Sequence, residues 1–158
     1  MPYDYGVPEG KDGLLPWSWA EERLKAADNL WFSTTRPDGR PHAMPAWGVW
    51  LDGALYFEGS PATRRLSHLA KHANLSVHLE DALKVVILEG VAEAVPDPPR
   101  SLAERLAEMF TAKYGGEPWN YRPEPTQWDA GGLWLMRPRV AFGWTSFPAD
   151  TTRWHFDS

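Results

Sequence analysis

The chain has 158 residues, a formal net charge of −5 and no cysteine. This length fits one domain with its own core, and the lack of cysteine excludes disulfides, thiolate metal sites and iron–sulfur clusters. The acidic balance and the absence of an apolar run of roughly 20 residues argue against nucleic acid and membrane as partners. We therefore expect one cytoplasmic domain over residues 1–158, with a flexible arm over residues 1–15.

The first half of the chain is typical of a helix followed by an antiparallel meander. Ser18 and Glu21 have the spacing of a capping box and predict a helix over residues 19–28. Pro45 predicts an edge, a bulge or a break in its strand, because proline cannot donate to a strand ladder. Alternating and β-branched residues predict strands over residues 30–35, 42–51 and 54–58, joined by turns at 36–40 and 51–53.

The second half adds further strands and two helices. Asp97 and Pro98 predict the start of a helix as N-cap and first helical residue, and its apolar stripe is Leu102, Leu106, Met109 and Phe110. The remaining predicted elements are a helix over residues 64–71 and strands over 75–79, 85–95, 133–136 and 140–144, the last two joined by residues 137–139. This order predicts an α+β, mainly β, fold built on a closed or nearly closed antiparallel barrel.

The segment between the third strand and the next helix is the strongest candidate site. Ser60, Thr63, Arg64 and Arg65 stand at the start of that helix. Backbone N–H groups at a helix start, two hydroxyls and two arginine forks suit a phosphate. An ordinary capped surface helix with solvated arginines explains the same residues.

The histidines and tryptophans carry weaker signals. His68 and His72 have the i, i+4 spacing of two metal ligands, but no third ligand is evident, so we predict no metal site. His42, His78 and His155 are isolated and are expected to be structural or exposed. The 10 tryptophans suit either packing or stacking on a planar ring.

In its order of residues the chain resembles the pyridoxamine 5′-phosphate oxidase-like split β-barrel family, in particular its flavin- and deazaflavin-dependent (coenzyme F420) oxidoreductases. The resemblance covers about residues 20–95 and includes the closing strand near Trp144. It rests on the turn at residues 36–40, Pro45-Ala46-Trp47, Thr63-Arg64-Arg65 and the strand near Gly90. It implies a six-stranded split barrel and a homodimer with cofactor sites at the interface.

The resemblance also implies a set of cofactor-binding residues. The Ser/Thr-Arg-Lys run that holds phosphate in the family is matched by Thr63, Arg64 and Arg65, with arginine in place of lysine. It further implies that Pro45, Ala46 and Trp47 lie beside the edge of the isoalloxazine ring. Ser60 would line the path of the ribityl chain or the phosphate. Lys84 and Trp144 would approach the cofactor from the partner subunit. No catalytic residue is identified.

Three hypotheses for function follow. The first is an oxidoreductase that transfers hydride between F420 or FMN and a small planar or conjugated acceptor. The acidic tail of F420 would need more basic residues than FMN, and the candidates are Arg36, Arg40, Arg64, Arg65 and Lys71. The second is a non-catalytic barrel that holds a flavin or a tetrapyrrole. The third is a tryptophan-lined carbohydrate-binding domain.

Overall fold

The computed structural model describes residues 10–60 and 62–157, and in this part of the chain eight strands form one antiparallel sheet flanked by three α-helices. The arm predicted over residues 1–15 lies mostly outside the described residues, and its last residue, Leu15, donates its backbone N–H to Thr152 Oγ1 (2.9 Å). The helices are α1 (Trp17–Ala26), α2 (Arg64–Lys71) and α3 (Arg100–Tyr114), with a 3-10 turn at Pro125–Trp128. The strands are β1 (Leu30–Thr35), β2 (Pro41–Ala46), β3 (Val49–Leu51), β4 (Ala54–Glu58), β5 (Asn74–Leu79), β6 (Val85–Ala94), β7 (Leu133–Trp144) and β8 (Thr152–His155).

The strand order explains why the sheet closes on itself. The order is β2-β1-β5-β6-β7-β4-β3, with β8 beside β7. The two end strands, β2 and β3, are separated along the chain only by Trp47 and Gly48. The sheet must therefore curl until its ends approach, which gives a split barrel. The predicted fold class is confirmed, with eight strands in the described residues rather than six.

Two hydrophobic clusters lie on opposite faces of this sheet. Phe57 on β4 points into the barrel with Phe32, whereas its neighbour Tyr56 points outward to the cluster under α3. Because both faces of β4 are covered, all but its last residue are buried. The outer cluster also includes Leu106 and Phe110 of α3, each at most 1% exposed.

The strand predicted over residues 42–51 is interrupted, as Pro45 indicated, but the break follows Ala46 rather than lying at Pro45 itself. The chain forms β2 and β3 with a break at Trp47 and Gly48. Pro45 lies in β2, and β2 is an edge strand, as its missing N–H requires. The break allows Trp47 and Gly48 to connect the two ends of the sheet.

The two short strands predicted over residues 133–136 and 140–144 are a single strand, β7. Pro138 lies inside it, opposite Gly90 of β6, where the pairing register shifts and Arg139 is the extra residue. A β-bulge tolerates a residue without an N–H, so the proline does not interrupt the strand. The tail, for which no strand was predicted, forms β8 against β7.

Two of the three predicted helix starts, those of α1 and α3, require correction. Helix α1 begins at Trp17 with Pro16 as N-cap and ends at Ala26, so Ser18 lies inside its first turn and makes no cap. Helix α3 begins at Arg100 rather than at Pro98. Two consecutive prolines explain the later start, since the residue before a proline is driven out of the helical region. No helix among the described residues is long and apolar enough to cross a membrane.

Candidate functional site

The loop after β4 leads into α2 through local hydrogen bonds made by Ser60 and Thr63. The hydroxyl and the backbone N–H of Thr63 each donate to the carbonyl of Ser60 at 2.9 Å. The N–H of Ala62 donates to the Ser60 hydroxyl (3.2 Å). Both residues are exposed, so this turn is accessible from solvent.

The two arginines that begin α2 point in opposite directions. Arg64 is exposed, whereas Arg65 is only 6% exposed. Arg65 Nη2 donates to the carbonyl of Glu58 (2.8 Å), and its guanidinium carbon lies 5.0 Å from the ring centroid of Phe32. Burial lowers the pKa of Arg65. At the helix start, therefore, only Arg64 presents its charge to solvent.

Arg64 belongs to a basic cavity between the β1–β2 hairpin and α2, which we call the arginine cavity. Its volume is about 430 Å³, and its charged or titratable lining residues are Arg36, Asp38, Arg40, Arg64 and His68. Asp38 is paired with Arg40 (2.7 Å), and hydrogen bonds from Arg40 hold the pKa of that carboxyl below its usual value. Three guanidinium groups against one carboxylate leave the cavity positively charged, which suits phosphate or carboxylate groups.

Four buried side-chain nitrogen atoms lack a hydrogen-bond partner among the described residues. They are Arg36 Nε, His42 Nδ1, and Nε and Nη1 of Arg65. Buried polar atoms are normally paired, so each orphaned atom calls for a water or a ligand. Arg36 is itself a lining residue of the arginine cavity.

His68 and His42 lie together beside the cavity. His68 is 6% exposed, its Nδ1 is 3.1 Å from Thr34 Oγ1, and its ring centroid is 5.1 Å from that of His42 in an edge-to-face arrangement. Burial, and then the charges of His42 and of nearby arginines, lower the pKa of His68. His72, the other residue of the i, i+4 pair, is the exposed C-cap of α2. Among residues 10–60 and 62–157, no three histidine or acidic side chains form a metal-binding group.

Pro45, Ala46 and Trp47 mark the end of β2. Pro45 is opposite Trp31 in the β1–β2 ladder, and Ala46 packs against the barrel core. Trp47 stacks on Tyr114 of α3, with ring centroids 4.8 Å apart and planes 15° apart. One face of the indole is thus covered by the chain itself.

Lys84 and Trp144 lie at neighbouring ends of β6 and β7. Val85, which follows Lys84, is opposite Trp144 in the ladder. Lys84 is exposed and lines a different cavity of about 450 Å³ that includes Arg23 and Asp28. The indole of Trp144 contacts Phe147, with centroids 5.6 Å apart. Both residues belong to the sheet region away from the hairpin and α2 that form the arginine cavity.

The residue that the sequence prediction missed is Glu58. Its carboxylate accepts hydrogen bonds from Tyr121 Oη, Gln127 Nε2 and Trp128 Nε1, at distances of 2.7 to 2.9 Å. With Gly59 and Ser60 it lines a cavity of about 310 Å³. A glutamate at a strand end carries no such signal in the sequence, because its partners come from an irregular segment more than 60 residues later.

Comparison with protein families matches residues 19–134 to the Pyridoxamine 5′-phosphate oxidase family, which covers most of the chain and all the strands from β1 to β6. The chain belongs to this family. Comparison with the curated proteins finds no match. The resemblance inferred from the sequence is therefore confirmed at the level of the family.

Solved structures share the fold of this family member at low sequence identity. An F420 reductase is 22% identical, with a TM-score of 0.59 over 85% of this chain and 98% of its own. A conserved hypothetical protein from Mycobacterium tuberculosis is 21% identical, with a TM-score of 0.69 over 87% and 89%. An FAD-binding protein from Mesorhizobium loti is 15% identical, with a TM-score of 0.63 over 88% and 94%. A heme binding protein from Mycobacterium smegmatis is 18% identical, with a TM-score of 0.65 over 90% and 59%.

Proposed function

We propose that this chain is an oxidoreductase that binds coenzyme F420, or else FMN, and transfers hydride between this cofactor and a small planar or conjugated acceptor. The observation that carries the proposal is the arginine cavity, in which Arg36, Arg40 and Arg64 come from two elements and face one space. The solved neighbours named as an F420 reductase and an FAD-binding protein support a flavin-type cofactor. Such a group, when bound, supplies the hydride, and the protein orients it.

The residues of the cavity fit the anionic part of such a cofactor. The Arg64 side chain would hold the phosphate, because an arginine fork donates paired hydrogen bonds to it, and the exposed turn at Ser60 and Thr63, which leads into Arg64, would border the phosphate path. The orphaned Arg36 Nε supplies a buried donor that a bound anion would satisfy. A single phosphate does not need three guanidinium groups, so their number favours the longer acidic tail of F420 over FMN.

We also propose a homodimer with the cofactor sites at its interface. Alternate side chains of β6 and β7 face away from the barrel and stay half-exposed in the single chain, namely Val85, Ile87, Val140, Phe142 and Trp144. Burial of such a strip between two copies would stabilise the assembly. Lys84 and Trp144 would then reach the cofactor of the partner subunit. Sedimentation tests this: the wild type should be a dimer and Ile87→Lys should be a monomer. A monomeric wild type would contradict the proposal.

The experiment for the cofactor is a titration of apo-protein with F420 and with FMN, followed by fluorescence. Arg64→Met should weaken binding at least about tenfold, because a charge-assisted hydrogen bond contributes about 1.5–3 kcal/mol. Arg100→Met, which removes an exposed arginine paired with Glu104 on α3, is the matched control and should bind like the wild type. Arg65 is a poor probe, since its buried side chain also supports the core.

Equal affinity of Arg64→Met and wild type would overturn the phosphate assignment. Turnover with reduced cofactor and conjugated acceptors tests the oxidoreductase step. Tight binding without turnover would favour the non-catalytic alternative, a flavin or tetrapyrrole carrier.

A further inference from the structure

The arginine cavity includes a histidine that a phosphate site built from arginines does not require. His68 lies one helical turn after Arg64 and lines the same cavity. The ring of His42 lies edge-on to it, with centroids 5.1 Å apart. His42 reaches this position because it is opposite Thr34 in the β1–β2 ladder, and Thr34 is also the hydrogen-bond partner of His68.

We propose that His68, supported by His42, is a ligand of the anion in the arginine cavity and takes up one proton from solvent when that anion binds. The proposal rests on the proposed function insofar as that function places an anionic group there. The proposal adds His68 and His42 to the site, and it makes the affinity of the arginine cavity for the anion depend on pH.

Thr34 allows His68 to exist in either protonation state without moving. A neutral imidazole whose Nδ1 is unprotonated accepts a hydrogen bond from the Thr34 hydroxyl across the 3.1 Å contact. When Nδ1 is protonated, the hydroxyl rotates and accepts instead, because a hydroxyl is both donor and acceptor. In both states Nε2–H remains a donor.

The charges around His68 oppose its protonation until an anion arrives. Arg36 from the hairpin, Arg64 from its own helix and His42 from β2 each disfavour the imidazolium, and only Asp38 favours it. Asp38 is already paired with Arg40. A dianion among these groups reverses the balance, so it should bind together with a proton.

His42 acts as a positioning residue in this arrangement. Its Nδ1 is buried and has no partner among the described residues. Its ring packs against His68 and holds that imidazole between β2 and α2. We therefore expect His42→Phe to keep sulfate binding but to shift the pH at which the proton is taken up, since one neighbouring titratable group is gone.

Sulfate is the probe that isolates this effect, because its charge is constant between pH 5 and 8, unlike that of phosphate. Calorimetric titration of the full-length protein with sulfate, in two buffers of different ionisation enthalpy, counts the protons taken up. At pH 7 we expect a measurable uptake of protons, with a maximum of one proton per bound sulfate. Affinity should rise by up to about tenfold per pH unit as pH falls, and level off once free His68 is protonated.

Variants on the same helix assign the proton. His68→Gln should bind sulfate more weakly, through the arginines alone, and lose the proton uptake, whereas His72→Gln, at the exposed C-cap, should retain both the affinity and the uptake. The imidazole resonance of His68 in the wild type gives a second readout that needs no variant. Its titration midpoint should rise when sulfate is added.

The outcomes separate this inference from the proposed cofactor. Proton-coupled sulfate binding without F420 or FMN binding would support the inference and overturn the cofactor assignment. Cofactor binding with no proton uptake by wild type, or with the same uptake in His68→Gln, would overturn the inference alone. No sulfate binding at any pH would overturn the anion site on which both depend.

Discussion

The hydroxyl of Tyr121 lies 2.7 and 2.8 Å from the two carboxylate oxygens of Glu58, so the irregular segment after α3 is attached to the end of β4. Gln127 and Trp128 donate to the same carboxylate. Burial, followed by the hydrogen bond and charge of Glu58, raises the pKa of Tyr121. Glu58 immediately precedes the loop that leads to the start of α2. The network therefore anchors one edge of the candidate site.

Glu58→Gln should lower the free energy of unfolding by about 1.5–3 kcal/mol, because an amide cannot accept from three donors and turns its own NH₂ toward one of them. Urea denaturation measures this change. Glu104→Gln is the control, since Glu104 only pairs with Arg100 on an exposed helix face and should change stability by less than about 0.5 kcal/mol. Equal stability of Glu58→Gln and wild type would show that the network does not anchor the segment.

Lys113→Met should stabilise the protein at neutral pH by about 1–2 kcal/mol. Lys113 donates to the carbonyl of Gly48 (3.0 Å), and burial lowers its pKa to about 8. Keeping its charge in this apolar setting costs stability, and methionine removes the charge while filling similar space. In the variant the Tyr114 hydroxyl is the other donor near the Gly48 carbonyl (3.1 Å), and its single proton is shared with the carbonyl of Asp28 (2.7 Å).

The pH dependence of that gain follows from the sign of the shift. Between pH 8 and 10.5 the unfolded chain holds the Lys113 proton and the folded chain releases it, so wild-type stability rises with pH. The advantage of Lys113→Met should therefore be complete below about pH 8 and shrink above it. Thermal unfolding at pH 7 and pH 9.5 tests this. Lys25→Met, which removes an exposed lysine that lines one cavity with Lys113, is the matched control.

Gly90→Ala should destabilise the protein by more than about 2 kcal/mol. A Cβ at Gly90 would overlap the carbonyl of Arg137 and lie 2.9 Å from Pro138 Cα. These are backbone atoms at the β-bulge, and no side-chain rotation relieves the clash. Gly116→Ala is the matched control, because a Cβ there meets nothing within 4 Å. Similar melting temperatures for the two variants would show that the bulge adapts easily.

The sequence predicted most of the elements because their signals are local. Strands β1 and β4 and helix α2 have the predicted bounds, since alternation, turn residues and helix spacing all lie within a few residues. Helix α3 starts later than predicted because Pro99 drives the preceding Pro98 out of the helical region, whereas α1 starts earlier than predicted because Pro16 takes the N-cap position ahead of Ser18. Pro138 appeared to end a strand because its bulge partner, Gly90, is distant in sequence.

The candidate site was predictable only in part. Helical spacing places Arg65 on the face of Leu69, which explains why Arg65 is buried, and places Arg64 with His68 on the cavity side. The approach of Arg36, Arg40 and His42 depends on how the β1–β2 hairpin packs on α2, and that is a tertiary contact. The sequence therefore identified the basic residues of the cavity, but it did not predict that they lie close together in the fold.

The apolar stripe of α3 should divide into strong and weak positions. Leu106 is fully buried in the outer cluster, whereas Leu102 is only partly buried against it. Leu106→Ala should therefore lower the free energy of unfolding by about 2–5 kcal/mol, since it leaves a cavity between α3 and the sheet. Leu102→Ala is the matched control on the same helix. It should cost less than half as much, because solvent already reaches its side chain and little cavity forms. Urea denaturation of both variants gives the comparison, and equal losses would contradict the division, since Leu102 would then contribute as much to the packing of α3 as Leu106 does.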